Sequence, residues 1–378
     1  MRKVVLVGNG LSIGLNSAFS LQNITKTFYY KLTPEHRKFI QHHMERIQKN
    51  EYIQVDFEEA IASIEQVHDS LDSYVNFLKN SEEGKKFLAA EKLSVEELEN
   101  HLTKIKEIII TYTASIVDII DGNVHWEQIG KKLSGFINWL EKELLNCENE
   151  FDLFTLNFDL LLETILLRVV GTDEFTDFHV KRGYHNGKDK FNFDPEESVS
   201  DYGGVRRIRL HHLHGSLSSF KRLSDGRVFK QRTEHIRLTN MYRNLNPNEI
   251  FPCIITGGFK SKKIQSLPFS FYYRKFKEKM MNPETLCDEL YIIGYSFRDE
   301  HINYAISERL KVHRNGEKPL KKLIIVDYKI NEEEQDKFIK DVNKALDLRS
   351  PKTKLKKEDG NFIFEGADAI DRLLRIPN

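Results

Sequence analysis

The chain has 378 residues, with 57 basic and 57 acidic side chains, so its formal net charge is zero; apolar residues make up 40% and charged residues 30%. A chain of this size buries a sizeable core and has room for two or three structural units. No apolar run approaches the ~20 residues of a membrane span, and the N-terminus carries no signal-peptide pattern. The three cysteines, Cys147, Cys253 and Cys287, stand far apart; they fit a reducing cytoplasm and exclude a disulfide framework and a paired-cysteine zinc ribbon.

Residues 3–8 are a continuous apolar run ended by glycine, the pattern of a buried parallel strand. From about 34 to 146 the periodicity is helical. Asp56-Phe-Glu-Glu59 and Ser94-Val-Glu-Glu97 have capping-box spacing, and Trp126 to Leu145 reads as a third helix. This block is expected to be a helical insertion subdomain between the first two strands. The remainder, 1–33 with 147–378, forms the main α/β domain. A strand is expected at 151–156 and a helix at 160–170. The stretch 172–285 is mixed, with a hairpin at Asp225-Gly226. A strand at 290–293, a helix at 300–312, a strand at 323–326 and a helix capped by Asn331 complete the chain. Strands alternating with helices imply a doubly wound, Rossmann-like parallel sheet.

Charge is segregated along this order. Residues 51–100 hold 13 acidic and 4 basic side chains, and residues 201–280 hold 17 basic and 5 acidic ones. Either stretch is a solvated surface or a docking face, and the basic one is also a candidate for phosphates or nucleic acid.

Four short motifs follow strands. Gly8-Asn9-Gly10-Leu-Ser12 turns from the first strand into a helix, where backbone N–H groups meet a pyrophosphate in parallel sheets. Its spacing is not that of a dehydrogenase, since Ile13 stands where a glycine is needed and no acid lies between 17 and 34. Thr155-Leu-Asn157-Phe-Asp159 lies where a strand gives way to a helix, so both polar residues are candidates for chemistry or for capping that helix. His214 precedes Gly215 at the end of a strand, as a candidate base near neutrality or as a structural histidine. Gly294-Tyr-Ser296 ends another strand, Asp299 is a candidate N-cap, and Asp327 ends the next strand. His211 and His212 have no third metal ligand at a recognisable spacing, so no metal is expected.

This order of motifs resembles the sirtuin-like family, specifically its bacterial branch that consumes NAD. The opening loop is similar to the sirtuin Gly-Ala-Gly-x-Ser, Thr155–Asp159 to Thr-Gln-Asn-Ile-Asp, His214-Gly215 to His-Gly, and Gly294–Ser296 to Gly-Thr-Ser. The segment Phe297-Arg-Asp-Glu-His-Ile-Asn303 resembles the NAD-consuming branch. The resemblance implies that Asn157 orders a water and the ribose hydroxyls, Asp159 contacts the carboxamide, and His214 acts as base. Gly8, Asn9, Gly10, Ser12, Gly215, Gly294, Ser296 and Asp327 would contact the dinucleotide. The sirtuin four-cysteine zinc module is absent, since residues 216–290 hold only Cys253 and Cys287. The implied activity is therefore NAD glycohydrolysis to nicotinamide and ADP-ribose, as an antiphage effector acting by NAD depletion in the cytoplasm. Homo-oligomerisation and pairing with a HerA-type hexameric ATPase are implied too. Two other classes stay open: a nucleic-acid-binding or nuclease component, motivated by the basic stretch and its aromatics, and a sensor that binds NAD or ADP-ribose without turnover.

Overall fold

The computed structural model describes residues 1–378 except 51–56, 92–93, 147–149, 172–173, 182–189, 197–206, 232–237, 256–259, 315–317, 351–352 and 376–378. Its strands are β1 (Lys3–Val7), β2 (Phe151–Thr155), β3 (Phe175–Thr176), β4 (His179–Lys181), β5 (Lys190–Phe193), β6 (Ile208–His212), β7 (Gly215–Arg222), β8 (Val228–Gln231), β9 (Ile250–Ile254), β10 (Glu289–Ile293), β11 (Lys322–Val326) and β12 (Phe362–Ile363). Seven of them form one sheet in the order β12-β11-β10-β1-β2-β6-β3, with every pairing parallel. The others form an antiparallel sheet, β4-β5-β8-β7-β9.

Helices cover both faces of the parallel sheet. α1 (Gly10–Leu15), α2 (Leu21–Lys31), α3 (Pro34–Asn50), α4 (Phe57–Asn80), α5 (Glu82–Glu91), α6 (Val95–Asn123), α7 (Trp126–Lys132) and α8 (Ser134–Leu145) all lie between β1 and β2. Then come α9 (Leu161–Val169), α10 (Leu238–Arg243), α11 (Lys260–Lys263), α12 (Phe269–Met281), α13 (Glu300–Arg314) and α14 (Glu332–Ala345). Side chains alternate across a strand, so the continuous apolar run of β1 supplies two cores. Val5 and Val7 join Leu153, Leu210, Tyr291 and Ile293 against Tyr112 and Ile116 of α6 and Phe136 and Trp139 of α8. Val4 and Leu6 join Phe154, Leu290 and Ile292 against Phe276 of α12, Ile302 and Ile306 of α13, and Phe338 and Val342 of α14. The architecture is a doubly wound, Rossmann-like sheet with a large helical insertion. The insertion shares its core with one face of that sheet.

From β1 the chain adds β2, β6 and β3 on one side, then β10, β11 and β12 on the other. The switch point, where open α/β sheets bind ligands, therefore lies between β1 and β10.

Most expected elements are present within a residue or two. Ser94 caps α6 by accepting the Glu97 N–H at 3.2 Å, and Asn331 caps α14 by accepting that of Glu334 at 2.9 Å. The capping box at Asp56 lies outside the described residues. Two expectations are corrected. Trp126–Leu145 is not one helix: it breaks at Leu133, and the Asp368 carboxylate accepts the Gly135 N–H at 2.6 Å, starting α8 anew. The mixed stretch holds the whole second sheet, of which only the Asp225-Gly226 hairpin, β7–β8, is visible as a local pattern. No helix among the described residues is long and apolar enough to cross a membrane.

Candidate functional site at the carboxyl edge of the parallel sheet

Parallel register places the motifs side by side. Val7 pairs with Thr155 and with Ile293, Thr155 with His212, and Ile293 with Val326. The segments that follow, Gly8–Gly10, Leu156–Asp159, Leu213–Gly215, Gly294–Asp299 and Asp327–Tyr328, therefore leave the sheet along one edge.

At the switch point two of these loops touch. The Gly10 N–H donates to the Gly294 carbonyl at 2.9 Å. A Cβ on Gly10 would lie 2.5 Å from the Gly294 Cα, and one on Gly8 would lie 2.6 Å from its carbonyl oxygen. Gly294 has φ +63°, a left-handed conformation that glycine adopts without penalty. These glycines are required by backbone-on-backbone packing. Beside them, Gly10, Gly14, Gly294, Asp327, Tyr328, Gly366 and Lys132 line a cavity of about 600 Å³, within the range of small-molecule pockets.

A second, smaller cavity of about 90 Å³ is lined by Asn9, Asn157, Asp159, His214 and Lys260 and by the apolar Phe19, Ile24, Tyr112, Ile116, Leu156 and Ile255. Asn9 here and Gly10 in the larger cavity are consecutive, so one loop borders both. The polar groups form a chain. Asn157 Nδ2 donates to the Gly8 carbonyl and to Ser12 Oγ, each at 3.1 Å. Ser12 Oγ donates to Asp159 Oδ2 at 2.5 Å, and Asp159 Oδ1 accepts the Leu161 N–H at 3.0 Å. Asp159 thus takes the first N–H of α9 and faces the cavity at once. Burial raises its pKa against the opposing effect of the Ser12 and Leu161 donors.

His214 stands beyond the end of β6, in the turn to β7, and not on the strand itself. Its ring bonds the Leu156 backbone, while Nε2 is buried with no partner among the described residues. A ring nitrogen that donates to a carbonyl carries the proton, which leaves Nε2 with the lone pair. Burial pushes the imidazole pKa down to about 3; the nearby Asp299 charge opposes this, and Lys260 and His301 add to it. The residue is thus a neutral acceptor. Lys260 Nζ donates to Asp299 Oδ1 at 2.6 Å.

Other candidates fall elsewhere. Ser296 is exposed and lines neither cavity, because the turn at Gly294 buries Tyr295 and sends its neighbour outward. Gly215, at φ +85°, packs against the Cys253 carbonyl, where a Cβ would come within 2.0 Å; it too lines neither cavity. The Asp299 side chain does not cap α13 but turns to Lys260, while its backbone carbonyl accepts the Ile302 and Asn303 N–H groups.

His211 and His212 are not a metal pair. His211 Nε2 bonds Asp152 Oδ1 at 2.9 Å within an ion network with Arg209 and Lys279. His212 lies near Glu163 and Asp177, the single group of potential metal ligands among the described residues. The Lys230 ammonium already bridges those two carboxylates, at 2.5 Å from Glu163. The cation position there is filled by the protein.

Similar pairings engage five of the 17 basic residues of the basic stretch. Arg209, Lys230, Lys260, Lys263 and Lys279 meet Glu150, Asp152, Glu163, Asp177, Asp299 and Glu65. All six of these acids come from outside the stretch, so part of the charge that is segregated in sequence is compensated in space. Lys260, Lys132 and the α6 pair Tyr112–Ile116 went unnoticed as site residues in the sequence. Each belongs to a helix whose pattern records only packing, and only the tertiary arrangement brings it to a cavity.

The fold and its glycine-lined crevice define a Rossmann-like α/β protein with a polar cluster at the sheet's carboxyl edge. Residues 5–344 match the model of a family described as a domain of unknown function (DUF4917), and the chain belongs to that family. No curated protein matches the chain.

Proposed function

We propose that this protein is a sirtuin-like NAD glycohydrolase that releases nicotinamide and ADP-ribose. The observation that carries the reading is the unpartnered, buried Nε2 of His214 in one small cavity with Asn157 and Asp159, next to a larger glycine-lined cavity at the switch point. The larger cavity has the size for a nucleotide. Gly14, with open space where a Cβ would stand, allows close backbone approach to it, and Asp327 supplies a carboxylate to hydroxyl groups.

Cleavage of the nicotinamide–ribose bond passes through an oxocarbenium-like state with a good leaving group, so it needs little acid. It needs an acceptor for the proton of an incoming water or a ribose hydroxyl. His214 Nε2 is that acceptor, and Asn157 orients the nucleophile. Asp159, whose carboxyl pKa burial raises, is placed to hydrogen-bond the carboxamide. Apolar walls from Phe19, Ile24, Tyr112 and Ile116 exclude bulk water from the pyridine end.

The wider reading is an antiphage effector acting by NAD depletion in the cytoplasm, controlled by self-assembly or by a HerA-type ATPase partner. The small cavity favours control: at about 90 Å³ it lies well below the ~300 Å³ at which ligand pockets begin, so this conformation is a closed one. Nicotinamide release from NAD by the purified protein, alone and with the ATPase, tests the proposal. His214→Ala and Asn157→Ala are each expected to abolish release in a folded protein, and normal turnover by either would remove the assignment.

A further inference from the structure

The motif Gly294-Tyr-Ser-Phe-Arg-Asp-Glu-His-Ile-Asn303 is built to hold one side chain. Tyr295 Oη donates to Asn303 Oδ1 at 2.9 Å and accepts the Asp299 N–H at 3.2 Å. Asn303 Nδ2 donates to the Phe297 carbonyl at 2.8 Å, and Phe297 sits at φ +57°, an uncommon conformation for a non-glycine residue. Tyr295, Phe297 and Asn303 are all buried. The clamp fixes the turn with the Asp299 carboxylate directed at Lys260 and within electrostatic reach of His214. Nothing in capping α13 requires this, since the backbone carbonyl alone serves the helix.

We propose that Asp299 is a positioning residue for His214, and that Lys260, bridged to it and lining the His214 cavity, sets how much of the Asp299 charge the imidazole feels. The proposal rests on the NAD-cleaving reading for its meaning, though not for its first test. The groups facing His214 are Asp299 and His301 from the start of α13, Lys260 from α11, and Asp159, which shares the cavity. With Lys260 in place the carboxylate is compensated and His214 stays a weak base, suited to a resting enzyme. If Lys260 is drawn away, Asp299 faces the imidazole uncompensated and strengthens it toward the neutral range, where general bases work best. Lys260 is the more accessible partner of the pair, part-exposed at 24% against 10% for Asp299.

The test uses the full chain with isotope-labelled histidine, the His214 signal being assigned by its loss in His214→Ala. Wild-type His214 is expected to stay neutral from pH 8 down to pH ~4.5, because burial dominates. Lys260→Met is expected to move its midpoint up into that range. Asp299→Asn should leave it neutral throughout, and the Lys260→Met/Asp299→Asn double variant should lose the gain. No shift in Lys260→Met, or the same shift without Asp299, overturns the proposal. Lys260→Met alone decides it if Asp299→Asn does not fold.

In the pH–rate profile of nicotinamide release, the base must be deprotonated. Lys260→Met should therefore move the acid limb to higher pH, and Asp299→Asn should lower kcat by tenfold or more with little change in KM. Imidazole shifts without any NAD turnover would leave the tuning standing and remove the NAD reading. Turnover with unmoved imidazole and limbs would do the reverse.

Discussion

Asp159 illustrates how one side chain serves fold and site together. Its Oδ1 takes the first N–H of α9 and its Oδ2 takes the Ser12 hydroxyl, in a position where burial raises its pKa. A carboxyl whose folded pKa is raised holds its proton longer than in the unfolded chain, so ionising it at higher pH works against folding. Asp159→Asn cannot ionise and keeps an oxygen for the Leu161 N–H. Its thermal midpoint at pH 8 is expected to equal or exceed wild type, while nicotinamide release falls at least a hundredfold. A loss of both together would mark Asp159 as purely structural. Lys230 makes the opposite case, because it holds two acids and no ligand. Lys230→Met leaves the buried Glu163 and Asp177 uncompensated, and removing one partner of such a network costs about 3–5 kcal/mol. Urea unfolding should show that loss. The remaining ion network has a pH signature. Asp152 and Asp177 are held below the ordinary carboxylate range by His211, Arg209 and Lys279 in one case and Lys230 and His179 in the other. Their contribution is complete above the unfolded pKa and disappears as pH falls through the depressed values. Stability should thus be level from neutrality to about pH 5 and decline below it.

At the scale of elements, the strands of the parallel sheet were the most legible part of the sequence. Runs such as Val4–Val7 and Leu290–Ile293 are buried on both faces, so every position is apolar and the glycine that follows marks where the strand ends. Asn157, Asp159 and His214 were proposed because strand ends in such a sheet are where ligands collect, and the structure brings them to one cavity. Ser296 and Gly215 followed the same logic and line neither cavity, since a left-handed glycine at 294 and a tight β7 start decide the direction of the chain locally. The second sheet was illegible for a physical reason: its short strands pair across 172–255, and neither face repeats an apolar alternation long enough to stand out. The α6 helix shows a related limit. Tyr112 and Ile116 sit on an ordinary apolar stripe, yet they wall the small cavity. Ile116→Trp is expected to fill that cavity and suppress nicotinamide release, while binding of ADP-ribose, which reaches the larger cavity without a pyridine ring, persists in calorimetry.

The whole molecule places a helical insertion on one face of a doubly wound sheet and uses its inner surface to close a site built by three strand ends. Part of its charge, segregated along the chain, is folded into internal pairs such as Lys263–Glu65, which ties α11 to α4 of the insertion. The insertion is therefore coupled to the helix that carries Lys260, three residues earlier. A partner that moves the insertion would act on the cavity through that tie, the route by which assembly could govern activity. The measurement closest to the centre of this account is calorimetric titration of NAD into wild-type protein and into His214→Ala, with nicotinamide scored in the same samples. Both proteins are expected to bind NAD within about threefold of each other, and only the wild type, alone or with its activating partner, should release nicotinamide. Release by His214→Ala at the wild-type rate, or no binding of NAD by either protein in any assembly state, would contradict it.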